Sequence, residues 1–305
     1  CMTYLDVGAP DATVFVSGMG RSGTTWLVDL INHRFSHRVI FEPFRTDIIA
    51  AARVFGPFAY IRPTDSDPVR RRAAARILAG RVRRGHVDRM HRGFIFRRRI
   101  VKAVRSNLML SWLKTVLPTM PVVLIIRHPL AVASSWQRLG WGQVPGSSQL
   151  ELDVIVSQDE LLADFPIITR AIQHVDRSSV FERAITEWCV THLVPLEQMR
   201  GGAAHVVFFE DLVLKPEATF APLASYVGVD VDWAAFHRAF DIAAETDFLQ
   251  RGNRADREQL LGDWRQHLSA AQIDRGREIV AAFGLDHLYD AQGRPVGLTP
   301  LPSGS

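Results

Sequence analysis

The run TVFVSGMGRSGTTWL, residues 13–27, constrains this chain more than any other stretch. Thr13 to Val16 form a β-branched apolar run, and three glycines, Gly18, Gly20 and Gly23, follow within six positions. After them Trp26, Leu27, Leu30 and Ile31 repeat at helical spacing. A strand that feeds a helix through a glycine turn aims several backbone N–H groups and the positive helix end at one point. The glycines let that backbone approach an anion closely, and Ser22, Thr24 and Thr25 add hydroxyls. Such a loop is built to hold a phosphate. The plain alternative is a tight strand-to-helix turn with no ligand.

A triphosphate loop of the Walker type needs Gly-Lys-Ser/Thr at its end, and here Gly23 stands directly before Thr24. The cation comes earlier, as Arg21, whose guanidinium can fork onto phosphate or sulfate oxygens. The sequence Arg21-Ser22-Gly23-Thr24-Thr25-Trp26 resembles the 5′-phosphosulfate loop of sulfotransferases that use 3′-phosphoadenosine 5′-phosphosulfate (PAPS), in the Arg-Ser-Gly-Thr form of carbohydrate-type and bacterial members. Two further segments carry the resemblance. Pro121 to Ile126 reads as a buried strand ending at Arg127-His128-Pro129, and Ser135 lies eight residues after Arg127 in the helix that follows. That arginine–serine pair is similar to the family's 3′-phosphate motif. Gly262-Asp263-Trp264-Arg265-Gln266-His267-Leu268 looks like its C-terminal Gly-Asp-Trp-Lys-Asn-His-Phe segment. Of the Arg-Lys-Gly cluster that precedes that segment in the family, only Arg257 survives, with Arg251 and Arg254 as nearby substitutes.

The resemblance implies a P-loop nucleotide-kinase-like fold: α/β, an open parallel sheet flanked by helices. It also implies PAPS as sulfuryl donor, 3′-phosphoadenosine 5′-phosphate (PAP) as product, a hydroxyl of a small molecule, sugar or lipid as acceptor, and no metal. The cofactor would be held by Gly20, Arg21, Ser22, Gly23, Thr24, Thr25, Trp26, Arg127, Ser135 and Arg257. For Trp26, packing at the helix start competes with stacking near adenine. Arg21 and Lys102 would meet charge on the leaving phosphate, Lys102 lying 25 residues before Arg127 where cytosolic members place a lysine. Those members put their catalytic histidine two residues beyond that lysine, and here the position is Val104. Glu42, in the Glu-Pro pair of VIFEPF, takes its place as candidate general base. His33, mid-helix, and His128, locked beside Pro129, are weaker candidates. The Glu210-Asp211 pair reads as structural, and Cys189 as a core residue.

Composition narrows the rest. Hydrophobic residues make up 47% of 305, ordinary for an enzyme with a full core, and no apolar run approaches the length of a membrane span. Two cysteines, and an N-terminus without the basic-then-apolar build of a secretory signal, lead to the expectation of a cytoplasmic location. Between Arg70 and Arg105 stand 14 Lys or Arg against one acid, Asp88. This run reads either as a rim that steers anions or as a solvated basic helix. It lacks the interleaved aromatics of a nucleic-acid surface. Oligomeric state cannot be read from the sequence.

Strands at 13–17, 38–41, 100–104, 121–126 and 204–209 alternate with helices at 24–35, 67–92, 106–117, 129–139, 179–200, 215–228, 233–244 and 270–283. An extension (1–12), one sulfotransferase-like domain (13–289) and a flexible tail (290–305) are expected. Residues 140–148 read as a loop, 151–172 as partly helical and 246–265 as a flap. In an open parallel sheet, ligands bind beyond the C-terminal strand ends, so the loop, Arg127 and Glu210 should converge there. Two other functions share this layout: a nucleotide-dependent kinase, which the missing lysine disfavours, and a nucleotide-binding module without catalysis.

Overall fold

Among the described residues the chain forms strands β1 (Leu5–Asp6), β2 (Thr13–Gly18), β3 (His37–Phe41), β4 (Ile95–Phe96), β5 (Arg98–Ala103), β6 (Val122–Ile126) and β7 (His205–Phe208). The structure is a computed structural model that describes residues 4–9, 11–90, 93–141, 151–247 and 257–297. Five strands make one sheet in the order β3-β5-β2-β6-β7, every neighbouring pair parallel. From β2 the chain steps out to β3, returns to β5, and then crosses to β6 and β7. The direction reverses at β2, which opens a crevice beyond its C-terminal end.

Strand residues alternate between two apolar layers, which is why these segments read as continuous Val/Ile runs. Phe15, Ile40, Val101, Leu124 and Ile126 face one layer with Trp112, Leu130, Trp188 and Ile279. Val14, Val16, Val39, Ile100, Val123 and Ile125 face the other with Leu27, Leu30, Phe220 and Phe236. Helices therefore cover both faces, as the alternation of elements predicts. Among the described residues no helix is long and apolar enough to cross a membrane.

Several boundaries differ from expectation for identifiable reasons. The first helix stops at Ile31 rather than near residue 35. Asn32 ends it: its amide donates to the His37 carbonyl at 3.1 Å and accepts the His37 N–H at 2.9 Å, which turns the chain into β3. The basic stretch 67–92 is helical only over Pro68–Leu78, where the Asp67 carboxylate caps the Val69 and Arg70 N–H groups. Gly80, at φ 68°, stops it in the left-handed region that favours glycine. The expected flap is helical from Arg257 to Gly262 and continues as a 3₁₀ turn over Asp263–Gln266. The two-residue pair β1–β4 carries no periodicity to read. Arg251, Arg254, the tail LTPLPSGS and most of the 140–148 loop lie outside the described residues.

Candidate active site

The glycine turn has the geometry its composition requires. Gly23 sits at φ 86° as the N-cap of the helix Thr24–Ile31. A Cβ there would come within 2.6 Å of the Phe209 ring, and one at Gly18 within 2.6 Å of the Ile125 carbonyl oxygen. Glycine is thus required at both positions for backbone conformation or close approach. Arg21 takes φ 74°, a costly value for a non-glycine residue that points to a local constraint. Ser22 is fully buried, and its hydroxyl has no hydrogen-bond partner among the described residues.

Segments more than a hundred residues apart close on this loop. The Arg21 Nε donates to Ser135 Oγ at 3.0 Å, and Arg127 Nη1 donates to the Arg21 carbonyl oxygen at 3.0 Å. The helix Pro129–Arg138, begun by Pro129 in its first turn, carries Trp136, whose indole N–H donates to the Gly20 carbonyl at 3.1 Å. Arg127 is anchored from below, its carbonyl accepting the Trp188 N–H at 2.9 Å while its guanidinium lies 4.6 Å from the Phe209 ring centre. Burial pulls the Arg127 pKa down to about 10, against the pull of Glu210, so it stays cationic at neutral pH.

The third motif docks on the second. Trp264 stacks on His128 with ring centres 4.8 Å apart and 14° between planes, and Tyr289 meets His128 edge-on at 4.8 Å. Burial, reinforced by Arg265, Arg277 and Arg127, holds the His128 pKa near 3. This ring is a neutral packing element. Glu210 accepts the His128 backbone N–H at 2.9 Å and the Tyr289 hydroxyl at 3.1 Å, and burial raises its pKa to about 7. The Glu210 carboxyl therefore ties the His128 turn to Tyr289, in keeping with a structural role.

Trp26 and Arg257 share the Phe240 ring as a neighbour, which the spacing did not show. Trp26 is buried between Phe209, at 5.4 Å, and Phe240, at 5.0 Å. Arg257 lies 5.0 Å from the Phe240 ring centre, with Nη1 directed at the Val213 carbonyl at 3.4 Å. Arg127 and Arg257 thus flank one aromatic cluster from its two ends. Thr24 is buried and Thr25 half-buried at the start of the helix.

Glu42 and Lys102 form a buried pair at the C-terminal ends of β3 and β5. Lys102 Nζ lies 2.6 Å from Glu42 Oε1, both side chains being 7% exposed. The Val104 N–H, at the position where cytosolic relatives carry histidine, bonds the same carboxylate at 3.1 and 3.3 Å. Glu42 adopts φ 46°, like Arg21 a non-glycine residue in the left-handed region. His33 is remote from this chemistry. Its Nδ1 lies 2.8 Å from the Leu30 carbonyl and its Nε2 accepts the Asp232 N–H at 3.1 Å, so both ring nitrogens are engaged. Among the described residues no group of three His, Cys, Asp or Glu could hold a metal ion.

Trp136 and Trp141 escaped the sequence reading. Trp141 packs on Trp136 at 5.4 Å and lies 6.0 Å from the Arg21 guanidinium. The one signal for them was their place at the end of the helix that carries Ser135.

A model described as "Sulfotransferase family" matches residues 13–234. The nodulation protein NoeE of Sinorhizobium fredii (strain NBRC 101917 / NGR234) is 24% identical over 296 residues, 91% of this chain and 65% of that protein. The chain thus spans less than two thirds of the length of the curated relative it matches. Among solved structures, the sulfotransferase domain from the Synechococcus PCC 7002 olefin synthase is 15% identical with a TM-score of 0.49, covering 93% of this chain and 96% of that one. Mouse sulfotransferase SULT7A1, complexed with PAP, is 13% identical with a TM-score of 0.47, covering 90% and 85%.

Proposed function

Because the chain belongs to the sulfotransferase family, a transferase of sulfuryl groups, we propose that its donor is PAPS and its acceptor a hydroxyl of a small molecule, sugar or lipid. The observation that carries the reading is the direct contact of Arg21 with Ser135, closed by Arg127 on the Arg21 carbonyl. Two anion motifs distant in sequence converge on one crevice, as a donor with a 5′-phosphosulfate and a 3′-phosphate demands.

The backbone of Gly20 to Thr25, with the Ser22, Thr24 and Thr25 hydroxyls, would hold the 5′ group at the helix N-terminus. Arg127 and Ser135 would grip the 3′-phosphate, with Arg257 at the far side of the Trp26 cluster. A charged contact to that phosphate contributes roughly 1.5–3 kcal/mol. Arg21 and Lys102 would stabilise the oxygen that keeps the electron pair as its bond to sulfur breaks. One of the three Lys102 donors is spent on Glu42 among the described residues, which leaves two for this task. Glu42 would take the acceptor's proton as its oxygen bonds to sulfur. Among the described residues its Oε2 accepts only the Val104 N–H, which leaves a lone pair for the proton.

Calorimetry tests the donor assignment. PAP should bind at least tenfold more tightly than AMP, which lacks the 3′-phosphate, and ATP should bind poorly. Equal affinities for PAP and AMP would sink the 3′-phosphate site. Screening hydroxyl compounds with labelled PAPS then identifies the acceptor.

A further inference from the structure

The sheet order fixes a line of travel: Arg127 ends β6, the phosphate loop ends β2, Lys102 lies on β5, and Glu42 follows β3 at the edge. The outer edge of β3 is covered at this end by the segment around Val87, whose carbonyl accepts the Phe41 N–H at 2.9 Å. Basic groups that donor chemistry does not use gather there. Phe41, the last residue of β3, is buried, and its ring carries three neighbours. The Arg89 guanidinium lies 3.6 Å from the ring centre, Lys102 Nζ 4.6 Å, and the His86 ring 5.4 Å, edge-on at 73°.

Arg89 has no carboxylate partner among the described residues, and its guanidinium lies over the Phe41 ring. Stacking on an aromatic face fixes a guanidinium without using its five donors. The His86 Nε2 is buried and has no hydrogen-bond partner among the described residues. Burial, then Arg89 and Arg45, holds the His86 pKa below its ordinary value despite the opposing Glu42 and Asp47 charges. Arg45, whose backbone N–H returns to the Glu42 carbonyl at 3.3 Å, is paired with Asp47. On the other side Arg105, one residue beyond Val104, lies 5.7 Å from the Phe58 ring centre. An oriented guanidinium and an unsatisfied imidazole nitrogen thus share one ring, next to the base.

We propose that the acceptor bears an anionic group of its own, a carboxylate or a phosphate or sulfate ester, and that Arg89 with His86 receives it. The proposal rests on the reading of Glu42 and Lys102 as the transfer end of the site. It also limits size. The two distances to the shared ring place the Arg89 guanidinium carbon no more than about 8 Å from Lys102 Nζ. The anion and the reacting hydroxyl therefore belong to one sugar-sized unit, not to opposite ends of a long chain.

The test compares matched pairs by calorimetry: glucuronate against glucose, glucose 6-phosphate against glucose, and 4-(hydroxymethyl)benzoate against its amide. Each is titrated into the full chain with and without saturating PAP. A failure of PAP to bind is then seen separately and counts against the donor reading. At least one charged member should bind at least tenfold more tightly than its neutral partner. Arg89→Ala should remove that preference and leave PAP affinity unchanged, and Arg89→Lys should keep part of it. Equal binding within every pair, or a preference that survives Arg89→Ala, overturns the proposal.

Discussion

Strands β3 and β5 bury charge at both of their ends, and the two ends are wired differently. At the N-terminal end Arg38 and Arg99 lie opposite each other in register. All five donors of Arg38 are spent, on Asp6, Asp88 and the Gly80 and Val82 carbonyls. Arg99 spends four on Asp6 and the Ala9 and Gly8 carbonyls. Burial alone would raise the Asp6 pKa, but the Arg99 and Arg38 hydrogen bonds overcome it and hold that carboxyl below its usual value. At the C-terminal end Lys102 and Glu42 are also buried yet, among the described residues, keep donors and a lone pair unspent. Buried charge is therefore no mark of function in itself. What sets the C-terminal pair apart, among the described residues, is hydrogen-bonding capacity left unspent.

The largest expected effect lies at the C-terminal end. Glu42→Gln keeps the shape and an acceptor for Lys102 but removes basicity, so turnover of an aliphatic alcohol should fall on the order of 10²–10⁴. A phenolic acceptor, already more acidic, should lose less, and PAP affinity should hold. Near-full turnover with an aliphatic alcohol would place the base elsewhere. The fixed ring of His33 and the buried, neutral His128 make neither a ready substitute.

The opposite pattern is expected at the other end. Arg38→Ala leaves Asp6 with Arg99 alone and Asp88 with the Tyr4 hydroxyl and the Arg84 N–H, and should cost about 3–5 kcal/mol in urea unfolding. The folded fraction should bind PAP normally. A loss under about 1 kcal/mol, or a specific loss of PAP binding, would erase the distinction between the two ends.

This contrast also explains what the sequence could and could not disclose. Arg21, Arg127 and Ser135 were legible because each sits at a fixed offset from a strand end, and parallel strands bring such ends together. Glu42 and Lys102 were singled out by the family resemblance together with their strand-end positions, and their pairing with each other was not read. Arg38 and Arg99 were hidden inside strands, and Asp6 on a two-residue strand, where no pattern marks a partner. Arg89 and His86 lie past Gly80, where the basic helix has already ended, so their approach to Phe41 depends on an irregular path. Trp264 was legible as a motif, but its stack on His128 is a tertiary contact between segments with no shared period.

Arg127 tests the donor side against both ends of the strand pair. Arg127→Ala should erase the preference for PAP over AMP, a loss of roughly 1.5–3 kcal/mol, or about 10- to 150-fold. Its guanidinium also rests on Phe209 and braces the Arg21 carbonyl, so Arg127→Lys is the companion variant. It should retain charge and part of the preference. If AMP and PAP affinities fall together in both variants, Arg127 shapes the loop rather than contacting the 3′-phosphate.

The smallest effect per step of the experiment, at most about 1.4 kcal/mol for each pH unit, concerns a third way to bury a titratable group: leaving it neutral. Glu187, on the helix Val180–Gln198, is 2% exposed, and its carboxyl accepts the Glu151 N–H at 2.9 Å. No salt bridge to it occurs among the described residues. Burial raises its pKa to about 8; the Glu151 N–H opposes the shift, the Glu151 charge adds to it, and Arg183 and Arg105 also oppose it. In the unfolded chain the same group titrates near 4.3, so the folded state binds the extra proton between those values. The sign follows: the stabilising contribution is full below the unfolded pKa and is lost as pH rises towards 8, by at most about 1.4 kcal/mol per pH unit. Glu187→Gln removes that slope. Urea unfolding at pH 5, 6, 7 and 8 should show the wild-type chain losing stability relative to the variant with each step, and the difference levelling off above pH 8. Parallel curves would mean that Glu187 is ionised throughout and that a cation offsets it. The contrast would then reduce to two solutions, one saturated with partners at the N-terminal strand end and one held open at the C-terminal end.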